Sequence, residues 1–540
     1  MKCEKDCIMK KRLKDMINNK KTVIWYAVCF VLLGLIDQRR GSAEGTLQMV
    51  FANLTGIVIG MLLIPSIKRD FIHSKAFGIW SLLCIPGVVL GCAIGRKYWL
   101  YPGQWYTAVI NMAVMGYLVL YIVWNRKMIK TQHRLNKVCF CVVISMLAVM
   151  QLSVHETIWP AWFLCLFGCF YLIGLPREKE EAFLEGMLLG IMTWFFVQQT
   201  IAFGFRPYDY VRYKGLYSGE TQNGVFYMIA FCAFTGMWLL LKKRKAGRVL
   251  RILCFLLSAG SVGFQLLTGG RASFFGLAAA AVLAYMAYDI IVCSSFRHWL
   301  LQGILLSICI VLLFPVVYGC VRYLPTILHH PVWFEGEYHE DYSVHSYDPW
   351  NSDRYISFEE ALENNVGRIL QILGIELSGK DGQARFRTPG TLTVHAAPGE
   401  PGSSIDNPFS FEETDFYDSV SIRRTIYYYY ATHLNFAGHS KAEAGFYMEG
   451  GVYQDHAHNM FLQIAYDYGI VAGILFVFWN VWCLIRLLLR KDMQGIICAA
   501  FLTAVLVYGC AEMAVNTGQI TMTILFLTYY FGMQKKAEVL

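Results

Sequence analysis

The sequence predicts an all-α protein: a polytopic transmembrane bundle of about 12–14 helical spans, with one large extracytoplasmic loop that contains short helices. Composition is the first reason, because 56% of the 540 residues are hydrophobic, 16% are charged, and the mean hydropathy is +0.43. The second reason is that apolar runs of about 17–25 residues, long enough to cross a hydrocarbon core, recur along the chain. The third is that Lys and Arg gather in alternate connecting segments.

The apolar runs divide the chain into five parts. A lysine-rich tail (1–21) leads into about eleven spans (22–321), the large loop (322–457), the C-terminal spans (458–533) and a short tail (534–540). The N-terminal stretch has no small-residue cleavage site after its apolar run, so we interpret it as a cytoplasmic tail and first anchor. The predicted spans are 22–36, 46–67, 76–95, 105–124, 138–153, 158–175, 182–203, 224–241, 250–268, 272–293, 299–321, 459–485, 495–515 and 518–533.

The basic residues predict which ends of the spans face the cytoplasm. With the N-terminus inside, the inner segments hold 30 of the 47 Lys and Arg, the short outer loops hold 8, and the large loop holds 9. Because positive charge accumulates on the cytoplasmic side, we expect both termini inside and the large loop outside. The net charge of +9 reflects this asymmetry and contact with anionic lipid headgroups, and it gives no case for nucleic acid.

The large loop is acidic, with 20 Asp and Glu, and its first predicted helix follows a capping box formed by Ser357 and Glu360. Apolar residues then recur at helical spacing as far as Leu373. None of the 17 cysteines lies in this loop, which argues against a disulfide framework and against a CxxC metal site.

The composition of the second half of the large loop predicts a flexible stretch followed by a helix. Gly, Pro, Ser and Thr dominate 379–410 and predict a loop. A helix is expected from about Ser419 to Leu434. Its tyrosine block, 427–430, suggests a surface at the level of the lipid headgroups, or one on which sugars stack.

Three arginines from separate parts of the chain reach the predicted outer face: Arg212, Arg271 and Arg423. A guanidinium stays protonated and presents a planar fork that fits two phosphate oxygens, so these residues suit a lipid-linked diphosphate. The alternative for Arg212 and Arg271 is that they extend to lipid phosphates or cap helix ends.

His458 is the candidate general base, because it lies where the large loop ends and an apolar helix begins. An imidazole is partly neutral at pH 7 and can remove a proton from a sugar hydroxyl, with the amide of Asn459 orienting the ring or a substrate. One alternative is an incidental loop histidine. Another is a metal site formed by His456, His458 and Asp455, although no distant further ligand is evident.

The spans contain little charge. Glu512 lies near the outer end of its span, and Glu185 and Asp289 lie near the inner ends of theirs. Ion-coupled carriers usually have ionisable residues deep within their spans, so this pattern disfavours a proton- or sodium-coupled carrier.

The block that starts at His458 is the most specific motif. Asn459 follows the histidine directly, and Gly469 follows ten positions later in a long apolar run. Three further patterns lie earlier in the chain: Arg212 with Gly215 and Asn223; the turn Gly270-Arg271-Ala272; and Arg423 before Ile426 and Tyr427, with Arg424 equally placed.

These motifs, spread over roughly 200–475, resemble those of the O-antigen ligase and O-antigen polymerase superfamily of bacterial polysaccharide assembly. The resemblance implies a metal-independent, inverting glycosyltransferase in the bacterial cytoplasmic membrane, with its active site outside. The donor would be a glycan on a polyprenyl diphosphate, with undecaprenyl diphosphate expected, and the acceptor a saccharide or other hydroxyl. No cofactor is implied. The expected partners are these substrates, membrane lipids and polysaccharide-assembly proteins.

The resemblance also implies roles for residues. Arg212 and Arg271 would grip the diphosphate, and His458 would deprotonate the acceptor. The implied substrate-binding residues are Arg423, Arg424, His456, Asn459, Arg206 and Lys214. Ligase and polymerase chemistry are not distinguished. The alternatives are a lipid-linked oligosaccharide flippase or other polysaccharide-export transporter, and a partner-binding protein without chemistry.

Overall fold

The computed structural model describes most of the apolar parts of the chain and fewer residues of the large loop. The described residues are 2–40, 46–98, 102–127, 135–155, 157, 159–205, 212–217, 219–292, 298–328, 358, 391–395, 404–410, 419–448, 453–515 and 518–535. Arg206 and nearly all of the predicted capping-box helix lie outside these residues.

The described residues form 17 α-helices. In chain order these are α1 (Lys2–Arg40), α2 (Thr46–Leu62), α3 (Arg69–Ile72), α4 (Lys75–Tyr98), α5 (Pro102–Trp124), α6 (Lys137–Gln151), α7 (Trp159–Ile173), α8 (Arg177–Phe205), α9 (Glu220–Lys243), α10 (Arg248–Thr268), α11 (Arg271–Ile291), α12 (His298–Ile327), α13 (Ser419–Thr432), α14 (Met460–Tyr468), α15 (Ile470–Leu489), α16 (Met493–Gly509) and α17 (Ile520–Met533).

Ten of these helices are long and apolar enough to cross a membrane, and α6, α7, α16 and α17 are shorter apolar helices. The predicted multi-pass helical architecture is therefore confirmed for the described part of the chain. Helix α9 is central, because its apolar stretch is buried throughout, whereas that of α4 is not buried at all. Around α9, the helices pack in pairs: α1 along α8, α10 along α9, and α11 along α16.

One predicted span is divided. The apolar run 459–485 forms α14 and then α15, with a break at Gly469, where φ is 92°. A Cβ at this position would lie 2.2 Å from the carbonyl oxygen of Phe436, so the close approach requires glycine. The membrane-crossing part is therefore Ile470–Leu489, and α14 is a separate short helix.

The large loop also contains strands that the sequence did not predict. They are β1 (Thr391–His395), β2 (Ser404–Ser410), β3 (Phe446–Tyr447) and β4 (Tyr453–Gln454), which form an antiparallel sheet in the order β2-β1-β3-β4. The first two fall within 379–410, which was expected to be a loop. Strand β2 pairs with β1, and β1 in turn pairs with β3, about 50 positions further along the chain, which a local composition signal cannot report.

The bundle has two different ends. At one, which we call the basic end, Arg486 donates to the carbonyl of Gly532 at 2.6 Å, and Arg244 pairs with Glu181 at 2.9 Å and with Glu185 at 2.8 Å. The other, which we call the site end, includes the C-terminal ends of α1, α10 and α16 and the N-terminal ends of α9, α11, α14 and α17.

Candidate active site

The turn that precedes α14 is held by Asn459. Its Oδ1 accepts hydrogen bonds from the N–H groups of Phe461 and Leu462, both at 3.0 Å, which makes it the N-cap of the helix. Its Nδ2 donates to the carbonyl of Cys510 at 2.9 Å and thereby ties the turn to the end of α16. Asn459 therefore positions the turn. The sequence suggested a different role, in which its amide orients the imidazole or a substrate.

His458 has an unusual backbone conformation. Its φ of 46° lies in the left-handed region, which residues with a Cβ rarely adopt. Such a conformation costs on the order of 1–3 kcal/mol and persists only where neighbouring contacts hold it. One such contact comes from α13, where the hydroxyl of Tyr427 donates to the carbonyl of His458 at 3.1 Å.

Glu512 joins His458 and Arg423 in what we call the His–Glu–Arg cluster. The Nδ1 of His458 lies 3.2 Å from Oε2, and Arg423 donates from its guanidinium to Oε1. Burial by itself raises the pKa of Glu512, but the hydrogen bond from His458 and the charge of Arg423 outweigh it and hold this pKa below its ordinary value. The carboxylate is therefore ionised at neutral pH.

This geometry orients the imidazole. An ionised carboxylate accepts hydrogen bonds only, so the tautomer that fits it carries the ring proton on Nδ1. The lone pair then lies on Nε2, on the far side of the ring from Glu512. A carboxylate that holds a histidine in this way prepares it to act as a base. The His458 side chain is 25% exposed, so the ring can still be reached.

The packing of α14 against α16 brings Glu512 to this position. Gly509, at the end of α16, lies so close to α14 that a Cβ there would be 2.5 Å from Cε of Met460. In the sequence, Glu512 stands out only as an isolated charge near the end of an apolar span, with no motif that assigns it a role. That isolation was the available signal, because a carboxylate in such a place generally has a partner.

His456 lies beside the cluster. Its Nδ1 pairs with Asp455, and its ring centroid is 4.1 Å from that of His458. The hydrogen bond from His456 is the main reason why the pKa of Asp455 is lowered. No group of three His, Cys, Asp or Glu side chains among the described residues could hold a metal ion, so the suggested site formed by Asp455, His456 and His458 is not assembled there.

Arg212 docks on the turn between α10 and α11. The N–H of Tyr213 donates to the carbonyl of Leu267 at 2.9 Å, which fixes the segment to the end of α10. Gly269 has φ 63°, and a Cβ there would lie 3.1 Å from Nε of Arg212. The guanidinium extends past this turn and pairs with Glu220 at 2.8 Å, with 39% of the Arg212 side chain exposed.

Arg271 is the first residue of α11, two positions after Gly269. A helix N-terminus carries partial positive charge, so a cation there is not stabilised by the helix dipole, and the suggestion that Arg271 caps a helix end electrostatically is disfavoured. Backbone N–H groups and a guanidinium at one place are instead suited to an anion.

A cluster of buried polar side chains forms hydrogen bonds to the two segments that carry Arg212 and Arg271. Nε2 of Gln265 donates to the carbonyl of Gly270 and to Oγ of Ser273, both at 2.9 Å. Nδ2 of Asn223 donates to the carbonyl of Tyr213 at 3.0 Å. The Arg, Gly and Asn pattern of the sequence thus has a structural meaning, since its Asn holds the segment that carries Arg212.

The two halves of the site lie at the same end of the bundle. Helices α11 and α16 are antiparallel, and a Cβ at Gly276 would lie 2.7 Å from the carbonyl oxygen of Ala504 and 3.4 Å from the nitrogen of Tyr508. Arg271 precedes Gly276 by little more than one turn, and Glu512 follows Tyr508 by four residues. The start of α11 and the segment after α16 therefore lie at the same height along the bundle axis.

The other candidate substrate-binding residues differ in their exposure and contacts. Arg423 faces the cluster, whereas the neighbouring Arg424 is exposed on α13. Lys214 is half-buried in the docked segment, where its carbonyl accepts from the N–H of Tyr217 at 3.2 Å.

Two residues of the tyrosine block have a different role from the one suggested. Tyr429 and Tyr430 are 6% and 0% exposed and pack with Phe446 and Tyr466, so they form the core that seats α13 on α14. They present neither a headgroup-level nor a sugar-stacking surface, while Tyr427 contacts the backbone of the active-site turn.

Comparisons with protein-family models, with curated proteins and with solved structures find no match for this chain. The residues and geometry of the site are therefore the basis for a functional proposal.

Proposed function

We propose that this protein is a membrane glycosyltransferase of the O-antigen ligase or polymerase type. It would transfer or polymerise a glycan from a polyprenyl-diphosphate donor onto an acceptor hydroxyl during cell-surface polysaccharide assembly. The observation that carries the proposal is the hydrogen bond between His458 Nδ1 and Glu512, at the same end of the bundle as Arg212 and Arg271. That arrangement combines an oriented base with cations suited to a diphosphate.

In the proposed reaction, the acceptor oxygen attacks the anomeric carbon of the donor sugar. The new carbon–oxygen bond forms as the bond from that carbon to the diphosphate oxygen breaks, with inversion. Nε2 of His458 takes the acceptor proton, and Glu512 stabilises the resulting imidazolium. The diphosphate leaves with the bonding electron pair, and Arg212 and Arg271 stabilise its added charge.

The carboxylate partner of Arg212 fits this proposal. Glu220 pairs with Arg212 through a single 2.8 Å contact. A diphosphate offers several oxygens to the same guanidinium and can take over that contact. Glu220 would keep the guanidinium directed toward the site between turnovers.

The proposed location follows from the distribution of charge. The arginines of the basic end are those expected on the cytoplasmic side, so the site end would face outward. A lipid-linked donor reaches such a site by lateral diffusion, and its diphosphate linkage already supplies the energy for transfer.

The direct test uses the full-length protein in proteoliposomes, with lipid-linked glycan extracted from the source cells. His458→Ala should lower the transfer rate by about 10²–10⁴-fold, because that is the usual contribution of a general base. His73→Ala, an exposed histidine between α3 and α4, is the control and should be active. Wild-type activity of His458→Ala would overturn the proposal, and movement of the glycan across the bilayer without transfer would favour the flippase alternative.

The same assay tests the role of Arg212. Arg212→Lys keeps the charge but loses the fork that spans two oxygens, so transfer should fall at least about tenfold. EDTA should leave the wild-type rate unchanged. A loss of activity that divalent ions restore would contradict the metal-independent mechanism.

A further inference from the structure

A small polar cavity lies between the two halves of the site. Its volume is about 20 Å³, room for roughly one water molecule or one hydroxyl group. The lining side chains that can hydrogen-bond are Asp37, Tyr217, Gln222, Tyr508, Gln519 and Thr521.

The position of the cavity follows from the chain segments that form it. Tyr217 belongs to the docked segment that begins with Arg212, and its hydroxyl donates to Asp37 at 3.3 Å. Asp37 also accepts from the N–H of Ile520 at 3.0 Å, which joins α1 to α17. On the other side, Tyr508 precedes Glu512 by four residues. The cavity is thus bordered by the diphosphate side and by the base side.

The hydroxyl of Tyr508 is the least expected feature of this cavity. The residue is only 5% exposed, and none of the described residues hydrogen-bonds its hydroxyl. Because this hydroxyl lines the cavity and can both donate and accept, it is available to hydrogen-bond a group that enters there.

The chemistry of the lining indicates what binds. No Lys or Arg is among the described residues that line the cavity, and the carboxylate of Asp37 repels anions, so a phosphate is disfavoured. A carboxylate, two phenols, two amides and a hydroxyl together offer both donors and acceptors. A neutral group that is itself donor and acceptor, such as a sugar hydroxyl, matches this set.

We infer that the cavity is a saccharide subsite, in which Tyr508 hydrogen-bonds a hydroxyl or hydroxymethyl group of the sugar at the reacting centre. This inference rests on the proposed function and adds a specificity-determining residue to it. The small volume admits one such group and excludes bulkier substituents, so the subsite would select among sugars by what they carry at that position.

Tyr508→Phe tests the subsite, because it removes only the hydroxyl. Two probes are used in proteoliposomes: the lipid-linked glycan from the source cells, and the same glycan released from its lipid by mild acid as a soluble competitor. Loss of one hydrogen bond should raise the KM for the first and the inhibition constant of the second by similar factors, roughly 3–10-fold. Competitive inhibition against the donor assigns the cavity to the donor sugar, and a mixed pattern assigns it to the acceptor sugar.

Tyr285→Phe is the matched control. The hydroxyl of Tyr285 is buried and makes no hydrogen bond among the described residues, and it lies beside Trp238 within the bundle, away from the cavity lining. Its removal should change neither constant. A steric variant, Val225→Leu, fills the cavity from α9 and should weaken both probes, whereas Val282→Leu on an exposed face of α11 should not.

The outcomes separate this inference from the proposed function. If Tyr508→Phe matches the wild type for both probes while His458→Ala is inactive, the subsite is wrong and the glycosyltransferase proposal stands. A change confined to the lipid-linked probe also overturns the subsite, because the two probes share only the sugar. If His458→Ala transfers glycan normally, the proposed function fails, and the subsite fails with it.

Discussion

At the scale of single residues, His458 is held by contacts from two distant parts of the chain, α13 and the segment that follows α16. Tyr427 of α13 binds its carbonyl, Asn459 anchors the turn to Cys510, and Glu512 accepts from its ring. A left-handed backbone at a residue with a Cβ is stable only when its surroundings determine it in this way. The strain is therefore part of how the imidazole is presented at the site.

Glu512→Gln should impair transfer without preventing insertion. The amide keeps the shape of the side chain, but it no longer stabilises the imidazolium and leaves Arg423 without its carboxylate. We expect a loss of about 10²–10⁴-fold in kcat, measured with the extracted lipid-linked glycan.

The matched control for this variant is Glu181→Gln, which removes a carboxylate paired with an arginine at the basic end. It should retain the wild-type rate. Equal rates for Glu512→Gln and the wild type would show that Glu512 does not assist His458.

At the scale of elements, the break at Gly469 lets α14 turn away from α15 and follow the turn that contains His458. Gly469→Ala introduces a Cβ that would lie 2.2 Å from the Phe436 carbonyl at a φ of 92°. The variant should unfold at lower temperature, with a cost of at least about 2 kcal/mol, and should lose transfer activity.

Thermal unfolding in detergent measures the first effect. Gly260→Ala is the control, because a Cβ at that glycine in the interior of α10 meets no atom within 4 Å. Alanine is the better helix former there, so this variant should be as stable as the wild type. If Gly469→Ala matches it, the break does not require glycine.

Asp467 of α14 is buried, and its ionisation predicts that the stability of the fold depends on pH. Burial raises the pKa of Asp467 to about 7, while its Oδ1 accepts from Gln463 at 2.8 Å and its Oδ2 lies 3.8 Å from His155. In the unfolded chain this carboxyl ionises near its ordinary pKa of about 4. Its contribution to stability is therefore fully present below about pH 4 and is lost as the pH rises through about 7.

Asp467→Asn removes this titration. Relative to the wild type, the variant should become more stable as the pH rises from 5 to 8, by roughly 1–3 kcal/mol. The measurement is the difference between the two unfolding temperatures at each pH. A difference that does not change with pH would contradict the raised pKa.

At the scale of the whole molecule, the site end and the basic end make opposite predictions in fusion experiments. A green fluorescent protein fused to the C-terminus should fluoresce, because that terminus is expected in the cytoplasm. Alkaline phosphatase fused after residue 441 should be active, since this part of the large loop belongs to the site end. The reverse result would place the site on the cytoplasmic side and exclude the proposed role.

The sequence by itself was sufficient for the architecture of the membrane part. Long apolar runs predict spans because the length and hydropathy of a segment are local properties, and the structure has apolar helices at all fourteen predicted places. The helix expected from Ser419 was also found, as α13. His458, Arg212 and Arg271 could be singled out because their residue types and neighbouring motifs are visible along the chain.

The contacts among these residues become visible in the folded protein alone. Glu512 lies 54 positions from His458 and 89 from Arg423, and nothing local reports that the three side chains meet. The choice of Arg423 over Arg424, the break at Gly469, the four strands and the cavity beside Tyr508 likewise depend on distant backbone and side chains. Hydropathy selects the helices, but the packing of one helix against another selects the contacts at their ends.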